Sequence, residues 1–141
     1  MPTAPKNPRI PSALPAALGL LLLGLGAPGC GKKGIAAELQ VLKDAGRNVS
    51  AFTDADPTAL GAKRCQSGTI DGVQALLCEY GGKDAATQGL AAAQTWIADA
   101  PTGLALQHEI VVLGLADRGG ADPSGKSLDA ISKAFRRTAR K

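Results

Sequence analysis

The sequence has few of the side chains on which catalytic and metal sites usually depend. Its 141 residues include one histidine, three cysteines, one tryptophan, one tyrosine and two phenylalanines. His108 has no serine or cysteine partner that the sequence identifies, and the carboxylates are too dispersed to define an acid–base pair. A metal site would need more histidine or cysteine ligands. The sequence therefore predicts no catalytic residue, no metal and no cofactor.

Charge of one sign and long apolar runs are also scarce. The formal net charge of +4 is too small to indicate a nucleic-acid partner by itself. The uncharged run at residues 13–26 contains 14 residues, or about 21 Å of helix at ~1.5 Å per residue. A bilayer's hydrocarbon core is ~30 Å thick, so this run is too short for an ordinary membrane-spanning helix.

The first residues have the pattern of a secretory signal. Lys6 and Arg9 lie in a polar start without acidic residues, the uncharged run follows, and small residues lead up to Cys30. A basic start, a short apolar run and small residues at its end are typical of a signal peptide that is removed after export. The alternative is a helix that stays uncleaved and serves as an anchor.

The run Ala27-Pro28-Gly29-Cys30 resembles the lipobox of bacterial lipoproteins. Gly29 and Cys30 match its two most restrictive positions, whereas the two residues before them depart from the usual Leu and Ala or Ser. The resemblance implies a signal peptide at 1–29, a lipidated tether at 30–33, and acyl chains on Cys30 and on the new amino group. Several acyl chains anchor a protein stably. The lack of Asp after the cysteine favours the outer membrane over the inner one.

Cys65 and Cys78 flank a strong hairpin signal, the dipeptide Asp71-Gly72. With these two residues as the loop, counting outward places the cysteines opposite each other at a non-hydrogen-bonded pair. The Cα atoms of such a pair are ~4.5 Å apart, which a disulfide accepts. The sequence therefore predicts a Cys65–Cys78 disulfide in an exported protein. Two reduced, buried thiols are the alternative, which would be unusual in that compartment.

Apolar periodicity predicts three helices, at residues 34–46, 83–98 and 127–140. Trp96 lies beside the apolar stripe of the second helix. We expect it to pack in the core, the alternative being a ligand platform.

The apolar run at residues 103–116 predicts a second hairpin. As one strand it would span about 46 Å at ~3.3 Å per residue, longer than strands usually are. Its polar cluster, Gln107-His108-Glu109, is the expected turn, where His108 would be exposed to solvent.

These elements predict an α+β, two-layer fold in which a four-stranded, mainly antiparallel sheet of two hairpins carries helices on one face. Residues 34–60 are interpreted as an N-terminal helix and linker, and 61–141 as a strand–strand–helix–strand–strand–helix domain. Several short runs in the domain also resemble uncharacterised lipoproteins of high-GC bacteria, a resemblance that implies no known activity: Arg64-Cys65, Cys78-Glu79-Tyr80, Trp96 and Ala116-Asp117-Arg118.

The segment 120–127 matches G-x-x-x-x-G-K-[ST], the phosphate-binding loop, through Gly120, Gly125, Lys126 and Ser127. It follows a predicted strand and precedes a predicted helix, and in that feature it resembles P-loop nucleotidases. However, P-loop sheets are parallel, whereas the strongest signal here is an antiparallel hairpin. A phosphate- or nucleotide-binding protein is therefore the alternative function, and a turn leading into a helix is the preferred interpretation.

The C-terminal segment concentrates positive charge. No acidic residue follows Asp129, while five cations do: Lys133, Arg136, Arg137, Arg140 and Lys141. These cations either complement the helix dipole and aid solubility or contact anionic lipid or an acidic envelope partner. The sequence as a whole predicts a non-enzymatic envelope lipoprotein that binds a partner and is held on the membrane by lipid on Cys30.

Overall fold

Residues 34–137, which a computed structural model describes, form one five-stranded antiparallel sheet with three α-helices. The elements in chain order are α1 (Ile35–Asp44), β1 (Thr53–Ala55), a 3₁₀ helix (Thr58–Leu60), β2 (Arg64–Ile70), β3 (Val73–Glu79), α2 (Lys83–Ile97), β4 (Gly103–His108), β5 (Val111–Ala116) and α3 (Lys126–Arg137). No helix within this range is long and apolar enough to cross a membrane. The predicted signal peptide and tether, with Cys30, lie outside the described residues, as do Arg140 and Lys141.

The predicted hairpin of β2 and β3 and its disulfide are confirmed. Asp71 and Gly72 have φ values of 51° and 82°, which a type I′ turn requires of both loop residues. Pairing begins at Ile70 with Val73 and places Cys65 opposite Cys78. Their sulfurs are bonded and their Cα atoms lie 4.1 Å apart.

The second hairpin also forms, but its turn lies slightly later than expected. His108 pairs with Val111, so the loop consists of Glu109 and Ile110, and Glu109 adopts a φ of 53°. The expectation that His108 is exposed at the turn is wrong, because the residue ends β4 and its side chain is only 14% exposed. It lies instead between α1 and α3.

The sheet has five strands rather than four. The additional strand, β1, lies in the segment interpreted as a linker and pairs with β2 at one edge of the sheet, which has the order β1-β2-β3-β5-β4. Its three residues are Thr53, Asp54 and Ala55, and none is fully buried. A short edge strand with one polar, exposed face has no apolar alternation by which the sequence could reveal it.

Helices lie on both faces of the sheet, so the expectation of helices on one face is wrong. One core contains Leu77 and Leu113 of the sheet with α1 and α3. The other contains Leu76 and Val112 of the sheet with α2. The cause is the central position of β3 and β5. All six residues of β5 are buried, and a strand that is apolar on both sides needs cover on both sides.

The first prediction concerns the disulfide. Replacing both Cys65 and Cys78 with alanine in a soluble Cys30→Ser background should lower the free energy of unfolding by about 3 kcal/mol, since the bond closes a loop of roughly 15 residues. Urea denaturation measures this loss against the Cys30→Ser parent. Non-reducing peptide mapping of the purified protein should recover the two cysteines as a linked pair. Free thiols at both positions would contradict the prediction.

Candidate functional site

An open groove of about 970 Å³ lies on the α2 face of the sheet. Helix α2 packs mainly on β4 and β5 and leaves Ser67 and Thr69, on the same face of β2, partly exposed. Strands β2 and β3 form the floor, α2 forms one wall, and the segment from β1 to the 3₁₀ helix forms the other. We call this site the β1–α2 groove. Its lining includes Thr53, Asp56, Leu60, Ser67, Thr69, Gln74, Leu76, Thr95, Trp96 and Arg118.

Tyr80 sets the spacing between the two walls at one end of the groove. Its buried ring lies against Gly89 of α2, where any Cβ would overlap the ring. Its hydroxyl donates a hydrogen bond of 2.9 Å to the Leu60 carbonyl in the 3₁₀ helix. Burial raises the pKa of this hydroxyl, so it stays protonated and keeps its donor role at neutral pH. The close approach at Gly89 therefore holds α2 beside the wall that contains Leu60.

Arg118 closes the other end of the groove. Its guanidinium lies 4.6 Å from the centroid of the Trp96 ring and donates to the Trp96 carbonyl at the end of α2. It also donates to both carboxylate oxygens of Asp99 and, at 2.8 Å, to Oε1 of Gln74 in β3. The bond from Arg118 lowers the pKa of Asp99. Arg118 thus fastens the C-terminal end of α2 to the sheet, and its charge is balanced by Asp99.

Trp96 is a packing residue, as expected. A Cβ at Gly114 of β5 would lie 3.1 Å from Cε3 of its ring, so the glycine permits close contact between α2 and the sheet. Arg118 lies over the ring. These two contacts leave Trp96 to form an end wall of the groove.

The lining of the groove suits a partly apolar occupant that also forms hydrogen bonds. Leu60, Leu76 and several alanines supply apolar surface, while Ser67 and Thr69 supply hydroxyls from the floor. At the Tyr80 end, Asp56 accepts a hydrogen bond of 2.9 Å from the Thr58 amide, and this bond lowers the pKa of Asp56. Asp56 is therefore ionised at neutral pH. The groove has one anionic end and, because Arg118 is paired, little other net charge.

The glycines of the phosphate-loop match form the turn before α3. Gly120 and Gly125 have φ values of 68° and 71°, and Lys126 and Ser127 lie in the first turn of the helix. Asp122, buried in this loop, accepts a hydrogen bond of 2.9 Å from the Leu128 amide. That bond, followed by those from the amides of Ser127 and Lys126, lowers the pKa of Asp122.

Asp122 therefore occupies the place where a phosphate would bind in a P-loop. Amides at the start of a helix are the groups that hold a phosphate, and here an internal carboxylate accepts their hydrogen bonds. Lys126 is exposed to solvent, and the sheet is antiparallel throughout the described residues. The structure brings the four motif residues together but disfavours the alternative interpretation as a nucleotide site.

A buried contact between Glu38 and His108 is the feature that sequence reasoning missed. Oε1 of Glu38 lies 2.6 Å from Nδ1 of His108, and both side chains are largely buried. The Phe135 ring meets the imidazole edge-on at 6.0 Å between centroids. The three residues join α1, β4 and α3. They are separated by as many as 97 positions in the sequence, from Glu38 to Phe135, so no local pattern could reveal the contact.

The described part of the C-terminal cation cluster lies on α3. Lys133 forms an ion pair of 2.7 Å with Asp129 one turn earlier, whereas Arg136 and Arg137 are exposed at the end of the helix. Within residues 34–137, no group of three His, Cys, Asp or Glu side chains is arranged to hold a metal ion.

Comparison with protein-family models, with curated proteins and with solved structures finds no match to this chain.

The second prediction concerns Asp122. Because its pKa is lowered in the folded state, its contribution to stability is present above the unfolded-state pKa of ~3.9 and is lost as pH falls through the folded-state pKa. Asp122→Asn should be less stable than the parent at pH 7, and the difference should shrink between about pH 5 and pH 2. Thermal unfolding across this range measures it. Asp129→Asn, a change at an exposed carboxylate in the first turn of α3, is the matched control.

The same loop predicts that Lys126 has no role in binding nucleotide. Lys126→Ala should leave the midpoint of thermal unfolding nearly unchanged, because the side chain is exposed. Calorimetry with ATP or GTP and magnesium should show no saturable binding by the parent. Tight binding that Lys126→Ala abolishes would restore the nucleotide interpretation.

Proposed function

We propose that this chain is a non-enzymatic envelope lipoprotein whose exported domain binds an extended peptide segment of a partner protein in the β1–α2 groove. Lipid on Cys30 anchors it to a bacterial membrane, and the outer membrane is favoured because Gly31 rather than Asp follows the cysteine. The lipobox resemblance supports the anchor. The Cys65–Cys78 disulfide supports export, because such bonds persist in oxidising compartments and are rare in the cytosol.

The groove is the observation that carries the binding function. Its volume of about 970 Å³ falls within the ~300–1,000 Å³ typical of ligand sites. An uncovered sheet face with an apolar lining is also typical of an interaction surface. The disulfide lies on the same face as the floor and in the same buried cluster as Tyr80, and both fix one end of the groove, so its shape is set before a partner binds. A preformed site reduces the ordering that binding requires.

The chemistry of the lining favours an extended peptide as the occupant. The strands of the floor contribute Ser67–Thr69 of β2 and Gln74–Leu76 of β3, about 10 Å for three residues at ~3.3 Å per residue, which is the length of about three extended residues. Alternating hydroxyl and apolar groups on the floor match a peptide that offers both backbone polar groups and small apolar side chains. The Asp56 carboxylate at one end would receive a lysine, an arginine or a free amino terminus.

The third prediction concerns the anchor. In bacteria that are fed a clickable fatty acid, the full chain should incorporate the label and sediment with membranes, because the thiol of Cys30 would carry the diacylglyceryl group. Cys30→Ser should abolish both behaviours. The Cys65→Ser/Cys78→Ser double variant, which loses the other two cysteines and their disulfide, is the control and should retain the label. Labelling of the Cys30→Ser variant would contradict the anchor.

The fourth prediction concerns the groove. A photo-crosslinking residue placed at Thr69 on the floor should capture a discrete envelope protein in living cells, whereas the same residue at Gln94, exposed on α2 outside the groove, should not. Ser67→Trp fills the floor and should reduce the Thr69 adduct by about tenfold or more, equivalent to about 1.4 kcal/mol of binding free energy.

Two outcomes would contradict the groove assignment. The first is equal capture from Thr69 and Gln94, and the second is an adduct at Thr69 that Ser67→Trp leaves unchanged while thermal unfolding shows the variant to be folded. Loss of the adduct in Cys30→Ser with retention of the fold would show in addition that capture requires the anchor.

A further inference from the structure

A small recess lies between the end of α1 and the outer side of α3. Its volume is about 230 Å³. Ala45 follows α1, and Ala130 and Ala134 lie on α3, so small side chains leave the space open. Three cations surround this space: Arg47, Lys133 and Arg137. Asp129 is the single carboxylate of the lining.

Two of the three cations are held in place by carboxylates. Nη1 of Arg47 donates to Asp71 at 3.0 Å, and the other oxygen of Asp71 accepts from the Asn48 amide at 2.8 Å. Asp71 is itself a turn residue of the β2–β3 hairpin, so Arg47 is fastened to the most constrained part of the sheet. Lys133 is paired with Asp129 at 2.7 Å.

The third cation, Arg137, has no ion-pair partner within residues 34–137 and is exposed. Nη1 is the one guanidinium nitrogen of Arg47 with a hydrogen-bond partner among those residues. A guanidinium carries five N–H donors, so both arginines retain donors for a ligand. The recess therefore combines a surplus of positive charge with hydrogen-bond donors that internal carboxylates do not occupy.

We propose that this recess binds a single phosphate group. Arginine matches the geometry of phosphate oxygens and binds them through paired hydrogen bonds, and three cations suit an anion with several oxygens. The volume lies below the ~300 Å³ at which ordinary small-molecule sites begin. A phosphate headgroup fits this description, whereas a whole nucleotide does not.

The surroundings favour a membrane headgroup as the source of the phosphate. Arg136 lies next to the recess on α3, and Arg140 and Lys141 follow in the sequence. Helix dipoles explain a cation at the end of each helix but not the convergence of Arg47, from the segment after α1, with the cations of α3 on one recess. Anionic membranes attract basic residues within a Debye length of the surface. The proposal does not depend on the β1–α2 groove.

The test uses the Cys30→Ser chain, which has no lipid anchor under the proposed function. In the first arm, the chain is mixed with vesicles of phosphatidylglycerol and phosphatidylcholine, and its binding to them is measured. In the second arm, it is titrated with glycerol phosphate in solution, and binding is followed through the amide NMR signals of Ala45 and Ala130. Arg137→Gln and Arg47→Gln should each weaken binding about fivefold in the arm that binds. Arg137→Gln removes no side-chain hydrogen bond or ion pair among residues 34–137, so it remains informative if Arg47→Gln is unstable.

Lys126→Gln is the matched control, because Lys126 lies on the same helix about 17 Å from Arg137 at ~1.5 Å per residue. If the chain binds anionic vesicles in a salt-sensitive manner, and Arg137→Gln weakens this binding while Lys126→Gln does not, the ligand is a lipid headgroup. Saturable NMR shifts with glycerol phosphate, again lost in Arg137→Gln, would identify a soluble phosphate. Equal behaviour of Arg137→Gln and Lys126→Gln in both arms would overturn the proposal.

Discussion

The left-handed turn at Asp71-Gly72 is the constraint on which the other parts of the structure depend. Two consecutive residues with positive φ define a two-residue loop, and that loop sets the register of β2 on β3. A slip of one residue would exchange the two faces of a strand. Leu77 would then leave the core shared with α1 and α3, and Cys78 could no longer meet Cys65. The disulfide lies at the far end of the same hairpin and secures the register that the turn begins.

The side chain of Asp71 also fixes the segment that follows α1. Its carboxylate binds Arg47 and the Asn48 amide, and its own amide donates to the Asn48 carbonyl at 2.8 Å. The chain that leaves α1 is therefore held against the turn. This contact directs the following segment along the edge of β2, where β1 forms. One turn residue thus orients a cation of the recess and helps to position a wall of the groove.

The groove results from where a helix can approach the sheet closely. Gly114 lets the Trp96 ring contact β5, and Gly89 lets the Tyr80 ring contact α2. Both contacts hold α2 over the β5–β4 side of the sheet, and Arg118 fastens its last turn there. On the same face, α2 leaves Ser67 and Thr69 of β2 partly exposed. An incompletely covered sheet face is costly for a free monomer unless it is small or used for binding, which is why the groove carries the proposed function.

The sequence predicted the structural features that depend on short segments of the chain. Counting outward from the Asp71-Gly72 dipeptide predicted the register of the hairpin and hence the disulfide. The apolar periodicity within single segments predicted the three helices. The position of α2 opposite α1 and α3 could not be predicted, because it depends on contacts such as Trp96 with Gly114 across 18 positions. The signal for cover on both faces was present in the continuously apolar Val111–Ala116, but only the neighbours of a strand show whether both of its sides are buried.

The loop before α3 and the recess beside it illustrate why a charge or motif match does not define a site by itself. At Asp122, the amides that could hold an anion already bind a carboxylate of the same chain. The protein thus supplies its own anion, and a phosphate would have to displace a buried, hydrogen-bonded group. At the recess, Asp71 and Asp129 each hold one cation, but three cations converge there. After these two pairs, one positive charge is left over for an external anion. Anion binding on α3 is therefore expected at the side of its C-terminal half, although the helix dipole alone would favour the N-terminus.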